Sequence, residues 1–266
     1  GISANRLRND WTRLANEKTG KTLQILYMSY NNLEEFPESS ALSKMVNLGL
    51  LDLAYNNIKK LHPFGSEVAL SSLYLNNNQI EEVPANLCAF TDDVESLTFA
   101  HNKLKKIPNI FDASSVREMG SVDFSYNEIT GVDNSRTYKG INAASVSLSN
   151  NKIEKFPSEL FTAGSPITTI DLSGNQMRTI PKGSIKGKKA YLLQVIDLRF
   201  NKLTSLSDDF RSTTLPYITN MDLSYNCFTE VPTQPLNSAN LRTFGINHQR
   251  DAQGNRPLRT WPTGIT

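Results

Sequence analysis

Cysteine is nearly missing from this chain, with 2 in 266 residues. Cys88 and Cys227 fall on the third and ninth copies of a repeat that runs the length of the sequence. At about 4.8 Å per coil that separation is roughly 29 Å, which no disulfide bridges. No Asn-x-Ser/Thr sequon occurs despite abundant Asn, which leans towards a bacterial rather than a glycosylated animal origin. No apolar run approaches the roughly 18 residues that a membrane-spanning helix needs. Net charge is only +2, so no field for polyanions arises and nucleic acid is not an expected partner. The 3 histidines, His62, His101 and His248, are isolated, and no Cys/His/Asp cluster has metal spacing. Neither a metal nor any other cofactor is expected. The chain opens on Gly1 and shows no signal peptide.

What is present is a repeat. The stretch 23–33, LQILYMSYNNL, follows a template of apolar, two free, apolar, one free, apolar, two free, Asn, one free, apolar. Copies begin at Leu48, Leu70, Val94, Met119, Ala143, Ile167, Leu193 and Ile218, and a tenth begins at Leu241. The Asn residues stand at 31, 56, 78, 102, 127, 151, 175, 201 and 226, a period of 22–26 residues. A period of that size is the mark of a solenoid whose units bury a core only by stacking.

Within a copy, alternation such as Ile170-Asp171-Leu172-Ser173 predicts a short strand with one buried face. An Asn side chain carries both donor and acceptor, so Asn31, Asn56, Asn78, Asn102, Asn127, Asn151, Asn175, Asn201 and Asn226 are expected to form a buried ladder serving the turn backbone. Beyond it, two apolar residues three apart are usually followed by Pro, as in Ile80/Val83-Pro84 and Met177/Ile180-Pro181. Pro fixes its own φ and pushes its predecessor to extended backbone, ending the turn at the same place in each coil. A last apolar residue (Leu42, Leu87, Phe111, Phe161, Ile185, Phe210) closes the core from a return arm too short for long helices.

This pattern resembles the extracellular-type leucine-rich repeats of about 24 residues, LxxLxLxxNxLxxxPxxxFxxLxx, over roughly residues 21–262. In style it is similar to secreted or surface-anchored repeat proteins of gut Bacteroidales. The resemblance implies an α/β solenoid: a right-handed superhelix of about ten repeats, a parallel sheet on its concave face, and short 3₁₀ or irregular convex arms. It also implies an extracellular or cell-surface location on a bacterium.

At the N-terminus, Ala4, Leu7, Trp11 and Leu14 recur at helical spacing, so a capping helix over 3–17, within a capping segment 1–20, is expected. The array occupies 21–266. Its last copy has Gln249 where Asn belongs and a polar insertion within 247–257, and the chain stops at Thr266 where another strand would begin. The expectation is a truncated array, with further repeats or another domain beyond Thr266, or a cap supplied by a partner.

The outward positions carry the candidate site. One column reads Tyr27, Asp52, Tyr74, Thr98, Asp123, Ser147, Asp171, Asp197, Asp222, Gly245. Two residues on lie mostly Ser and Ala, broken by Arg199; next comes Tyr30, Tyr55, Asn77, His101, Tyr126, Asn150, Gly174, Phe200, Tyr225, His248. Aromatics with a polar handle anchor protein interfaces. Tyr30, Tyr55, Tyr74, His101, Asp123, Tyr126, Asp171, Asp197, Arg199, Phe200, Asp222 and Tyr225 are therefore the candidate ligand-binding residues, for a protein or peptide. The bland alternative is that Asp and Ser here follow the family consensus. Binding of a glycan by the same strip, or a ligand-free scaffold within a longer surface protein, are the rival functions. His101, Asp123 and Ser125 invite comparison with a catalytic triad, but an open sheet offers no water-excluding pocket, and no enzymatic activity is expected. Glu34-Glu35, Lys59-Lys60, Glu81-Glu82 and Lys105-Lys106 alternate in sign from coil to coil, which reads as register control. Asn151→Ala should lower stability clearly and Tyr126→Ala hardly at all.

Overall fold

The computed structural model describes residues 3–6, 11, 16–63, 68, 70–84, 87, 94–110, 119–133, 138, 140–162, 164–185, 190–251, 253–256 and 258. The chain forms two compact units, Gly1–Ala143 and Ala144–Thr266.

In the first unit, strands β1 (Ile25–Tyr27), β2 (Leu50–Asp52), β3 (Ser72–Tyr74), β4 (Ser96–Thr98) and β5 (Met119–Asp123) pair in parallel and in sequence order. The register matches the repeat: Leu26, Leu51, Leu73, Leu97 and Val122 lie side by side. All are buried, as are Met28, Leu53, Leu75, Phe99 and Phe124 two residues on. Phe99 and Phe124 stack at 5.5 Å. Each such side chain contributes about 1.5–3 kcal/mol through burial.

The second unit repeats the plan with β6 (Ala143–Ser147), β7 (Thr169–Asp171), β8 (Val195–Asp197), β9 (Asn220–Asp222) and β10 (Thr243–Gly245). Val146, Ile170, Ile196, Met221 and Phe244 are in register. Its return arms hold single turns of 3₁₀ helix at Ser158–Leu160, Asp208–Phe210 and Pro235–Asn237, as expected of short arms. In the first unit a four-residue helix, α2 (Ser39–Leu42), follows α1 (Glu17–Gly20). Leu42, Leu87, Phe161, Ile185 and Phe210 are buried where the arms close the core; Phe111 lies outside the described residues.

The Asn ladder binds each coil to the one before it. Asn56 donates from its amide to Leu53 O and Met28 O, both at 3.0 Å, while its Oδ1 accepts the Leu33 N–H at 3.0 Å. Asn78, Asn175, Asn201 and Asn226 repeat this scheme, each between a preceding-coil carbonyl and a preceding-coil N–H. At the tenth rung Gln249 takes the place of Asn: its amide donates to Leu223 O at 2.9 Å and its Oε1 accepts the Phe228 N–H at 3.0 Å. The extra methylene of Gln is absorbed without losing either bond.

Ser3–Asn5 are not helical. Ala4 has φ +58°, donates its N–H to Ser29 O at 3.0 Å, and Asn5 N–H donates to Asn31 Oδ1 at 3.1 Å. These residues thus occupy the first rung with the bonds that a preceding coil would make. Trp11 is buried and its indole N–H reaches Glu35 O. The rest of the expected capping helix, residues 7–10 and 12–15 with Leu7 and Leu14, lies outside the described residues, as does Cys88. In the C-terminal insertion, Asp251 accepts N–H groups of Gln253 and Asn255, which closes 251–255 on itself. Donation from the Asn255 side chain holds the Asp251 carboxyl below its ordinary pKa.

A candidate recognition surface on each unit

The step from Met28 to Asn31 is three residues, which the two-residue period of a strand does not allow if both are to point inward. The structure resolves this at the residue between. Tyr30, Tyr55, Asn77, His101 and Tyr126 in the first unit have φ between +53° and +56°. Asn150, Gly174, Phe200, Tyr225 and His248 in the second have φ between +54° and +66°. The left-handed region costs a residue with a Cβ about 1–2 kcal/mol. Backbone bonds hold it: Tyr30 N–H to Ala54 O, Tyr55 N–H to Asn76 O, Phe200 N–H to Ser224 O and Tyr225 N–H to Asn247 O, at 2.8–3.2 Å. The expected third column of the sheet face is therefore a column of turn residues at the strand ends. Its side chains point to solvent so that the next residue, Asn, points in.

Those side chains stack on one another. Tyr30 and Tyr55 lie 4.2 Å apart and 8° from parallel; His101 and Tyr126 lie at 4.2 Å and 7°. In the second unit Phe200 stacks on Tyr225 at 4.2 Å, and Tyr225 on His248 at 4.6 Å. They remain well exposed, Tyr30 at 56%, Tyr126 at 50% and Phe200 at 51%. Each pair fills the facing sides of its rings and offers edges and hydroxyls outwards. Hydrogen bonding with Tyr55 pushes the Tyr30 phenol above its ordinary pKa.

The column expected between these two, Ser29, Ala54, Ala100, Ser125, Ser149 and Ser224, is buried rather than part of an open strip. The left-handed residue turns the chain directly after it and covers these small side chains. Asn76, Ser173 and Arg199 of the same column stay half-buried, and Asn247 is exposed. Ser125 is thus covered and the His101 ring lies flat on Tyr126, so the triad-like trio has no open nucleophile.

The aspartates stand at strand ends, half-exposed. One oxygen of each accepts the N–H two residues on: Asp52 from Ala54, Asp123 from Ser125, Asp171 from Ser173, Asp197 from Arg199 and Asp222 from Ser224, at 2.8–3.0 Å. That bond ends the strand, and Thr98 makes a longer version of it to Ala100 at 3.3 Å. In the first unit Asp52 is in register with Tyr27 and Tyr74, and Asp123 with Thr98. In the second, Asp171, Asp197 and Asp222 are in register with each other. Arg199 lies over them, with Nη2 2.6 Å from Asp197 Oδ2 and Nε 3.8 Å from Asp222 Oδ2. Bonding to Asp197 raises the guanidinium pKa further.

Two exposed residues of the first unit escaped the sequence-based site, Ile25 at 51% and Tyr27 at 43%. Both flank the buried Leu26 on β1, and strand alternation was the signal for them. On the turns beyond the ladder, Glu81 and Glu82 share one surface depression with Lys59 and Lys60 and another with Lys105 and Lys106. Glu35 and Lys60 are joined by a backbone bridge. Among the described residues no group of three or more His, Cys, Asp or Glu could hold a metal ion, and no helix is long and apolar enough to cross a membrane.

Comparison with known proteins agrees with the fold. The family model for the Leucine Rich Repeat matches residues 22–43. A leucine-rich repeat protein from Bacteroides thetaiotaomicron VPI-5482 is 63% identical, with TM-score 0.87 over 97% of this chain and 32% of its own. One from Bacteroides eggerthii DSM 20697 is 55% identical, with TM-score 0.84 over 96% of this chain and 44% of its own. Human lumican is 30% identical over 178 residues, 64% of this chain and 50% of lumican. The chain thus spans about half the length of that curated relative and less than half of either Bacteroides protein.

Proposed function

We propose that this leucine-rich-repeat protein, of the kind found in Bacteroides, is a non-catalytic recognition module that binds a protein or peptide on the solvent-facing side of its strands. The observation that carries the reading is the exposed aromatic column. Seven of its ten positions are Tyr, Phe or His in stacked contact, half-open to water, on a backbone that accepts left-handed strain to hold them there. A surface made rigid in this way loses little entropy on binding. The stacking also favours protein over glycan: a sugar ring needs an open aromatic face, and the inner faces of each pair are filled at 4.2 Å. The similarity to the Bacteroides proteins supports a secreted or surface-held bacterial protein that adheres to host or neighbouring-cell proteins.

The test is affinity capture from intestinal epithelial lysate and mucus by the native chain and by a Tyr126→Gly/Phe200→Gly variant. Glycine keeps the left-handed backbone while removing the rings. A partner held by the native chain, lost with the variant, and destroyed by protease treatment of the lysate supports the proposal. Protease-insensitive capture favours a glycan. Equal behaviour of both chains favours a ligand-free scaffold.

A further inference from the structure

The second unit holds a feature that a consensus strand end does not explain. Asp171, Asp197 and Asp222 sit on three neighbouring strands in exact register, about 4.8 Å from one strand to the next. Like charges placed directly opposite destabilise a sheet. Among the described residues one cation answers them, Arg199, and its contacts are uneven. It forks onto Asp197 with Nε at 2.9 and 3.0 Å and Nη2 at 2.6 Å, and approaches Asp222 only to 3.8 Å. Asp171 has its strand-ending bond from Ser173 and no cation among the described residues. The residue two places beyond Asp171 is Ser173, so the position that Arg199 fills for Asp197 carries no charge there.

The chain therefore displays, within itself, the group that this strip accepts: a planar guanidinium laid across strand-end carboxylates. We infer that the sheet face of the second unit takes an extended, cationic segment of a protein partner, whose Arg or Lys side chains pair with Asp171 and Asp222 beside the Phe200–Tyr225 stack. This rests on the recognition function proposed above and narrows its partner. The span from Asp171 to Asp222 is two strand steps, about 9.6 Å, which three residues of polyproline-II extended chain at about 3.1 Å each cover with residues i and i+3 on one side. Arg199 acts as a resident competitor: it occupies Asp197 and shields Asp222, leaving the strip with three carboxylates to one guanidinium.

The test is fluorescence anisotropy with a labelled peptide of repeating Arg-Gly-Ser units and its Gln-Gly-Ser counterpart. The native chain should bind the arginine peptide several-fold more tightly than the glutamine one. Arg199→Ser, which restores the small residue usual in its column, should tighten the arginine peptide by about two- to five-fold. Asp171→Asn and Asp222→Asn should each weaken it by a similar factor, while Glu154→Gln on an exposed turn should change nothing. Circular dichroism checks that each variant is folded. Equal binding of both peptides, indifference to Asp171→Asn, or weakening by Arg199→Ser each overturns the inference. Equal binding of both peptides that is lost in a Phe200→Gly/Tyr225→Gly variant would leave the recognition surface standing and remove only its charge preference. Failure of the capture experiment above is a separate result that removes the surface itself.

Discussion

The two units are built alike inside and differ on their faces. Inward, both run Leu, Ile, Val or Met at the strand centre, then a buried Asn tied to the preceding coil. Outward, the strand-end column of the first unit is mainly aromatic and hydroxylic, Tyr27, Asp52, Tyr74, Thr98 and Asp123. In the second it is Ser147, Asp171, Asp197, Asp222 and Gly245, with Arg199 lying across the acids. The flanking stacks differ as well: Tyr30–Tyr55 and His101–Tyr126 in one, Phe200–Tyr225–His248 in the other. The fold constrains the inner half of each repeat and leaves the outer half to vary. Function is to be sought in what varies, and the largest such contrast is the placement of the acids: separated by Tyr and Thr in the first unit, on adjacent strands in the second.

If the ladder is the shared element, breaking it should hurt both units alike. Asn78→Ala strands the Ile58 N–H and leaves the Leu53 carbonyl with the Asn56 amide alone; Asn175→Ala strands the Ile153 N–H and leaves the Leu148 carbonyl with the Asn151 amide alone. Each should cost about 3 kcal/mol, seen as a fall of several degrees in melting temperature. A marked difference between the two would mean that the units are not equivalently built. Next in size is a pair of tightly packed glycines. A Cβ on Gly120 would lie 2.6 Å from the Glu95 carbonyl oxygen, so backbone must shift, and Gly120→Ala should cost about 1–3 kcal/mol. A Cβ on Gly245 would meet the Asp222 carboxylate at 2.3 Å. That side chain is partly exposed and can swing aside, so Gly245→Ala should cost less than about 1 kcal/mol by chemical denaturation. It should also disturb the acidic strip, a combination that the first unit has no means of showing.

The fold was legible because every coil repeats the same inward residues, and burial matches the template from Leu26 to Phe228. The convex arms followed from their length. What the sequence hid was the left-handed turn, although the signs were present. The step from the last inward Leu to Asn is three residues, and the position before Asn includes Asn77, Asn150 and Gly174, residue types that tolerate positive φ. Read with the two-residue period alone, Tyr30 and Tyr126 were placed on the strand face, and the small Ser/Ala column was opened to solvent although Ser29, Ala54, Ala100, Ser125, Ser149 and Ser224 are closed. The Arg199 fork lay beyond reading: nothing in a sequence says which of two neighbouring aspartates a guanidinium will choose.

The smallest effect tests whether the aromatic column is held by its rings or in spite of them. Sequence reasoning expects loss of Tyr126 to leave stability nearly unchanged, but each ring of the first unit's pairs stacks on a neighbour, worth about 0.5–1.5 kcal/mol. Tyr55→Ala loses that stack and keeps the cost of a Cβ at φ +55°. It should therefore be destabilising by about 1 kcal/mol. Tyr55→Gly loses the same stack but regains the left-handed strain of about 1–2 kcal/mol, less the chain-entropy cost of glycine of about 0.5–1 kcal/mol. It should come out near neutral and above the alanine variant in urea midpoint. If alanine and glycine are equal, the strain of the turn is no larger than the chain-entropy cost of glycine, about 0.5–1 kcal/mol. If glycine is the more stable of the two while capture of the partner is lost, then the chain tolerates strain at this position for the sake of what the tyrosine touches outside it.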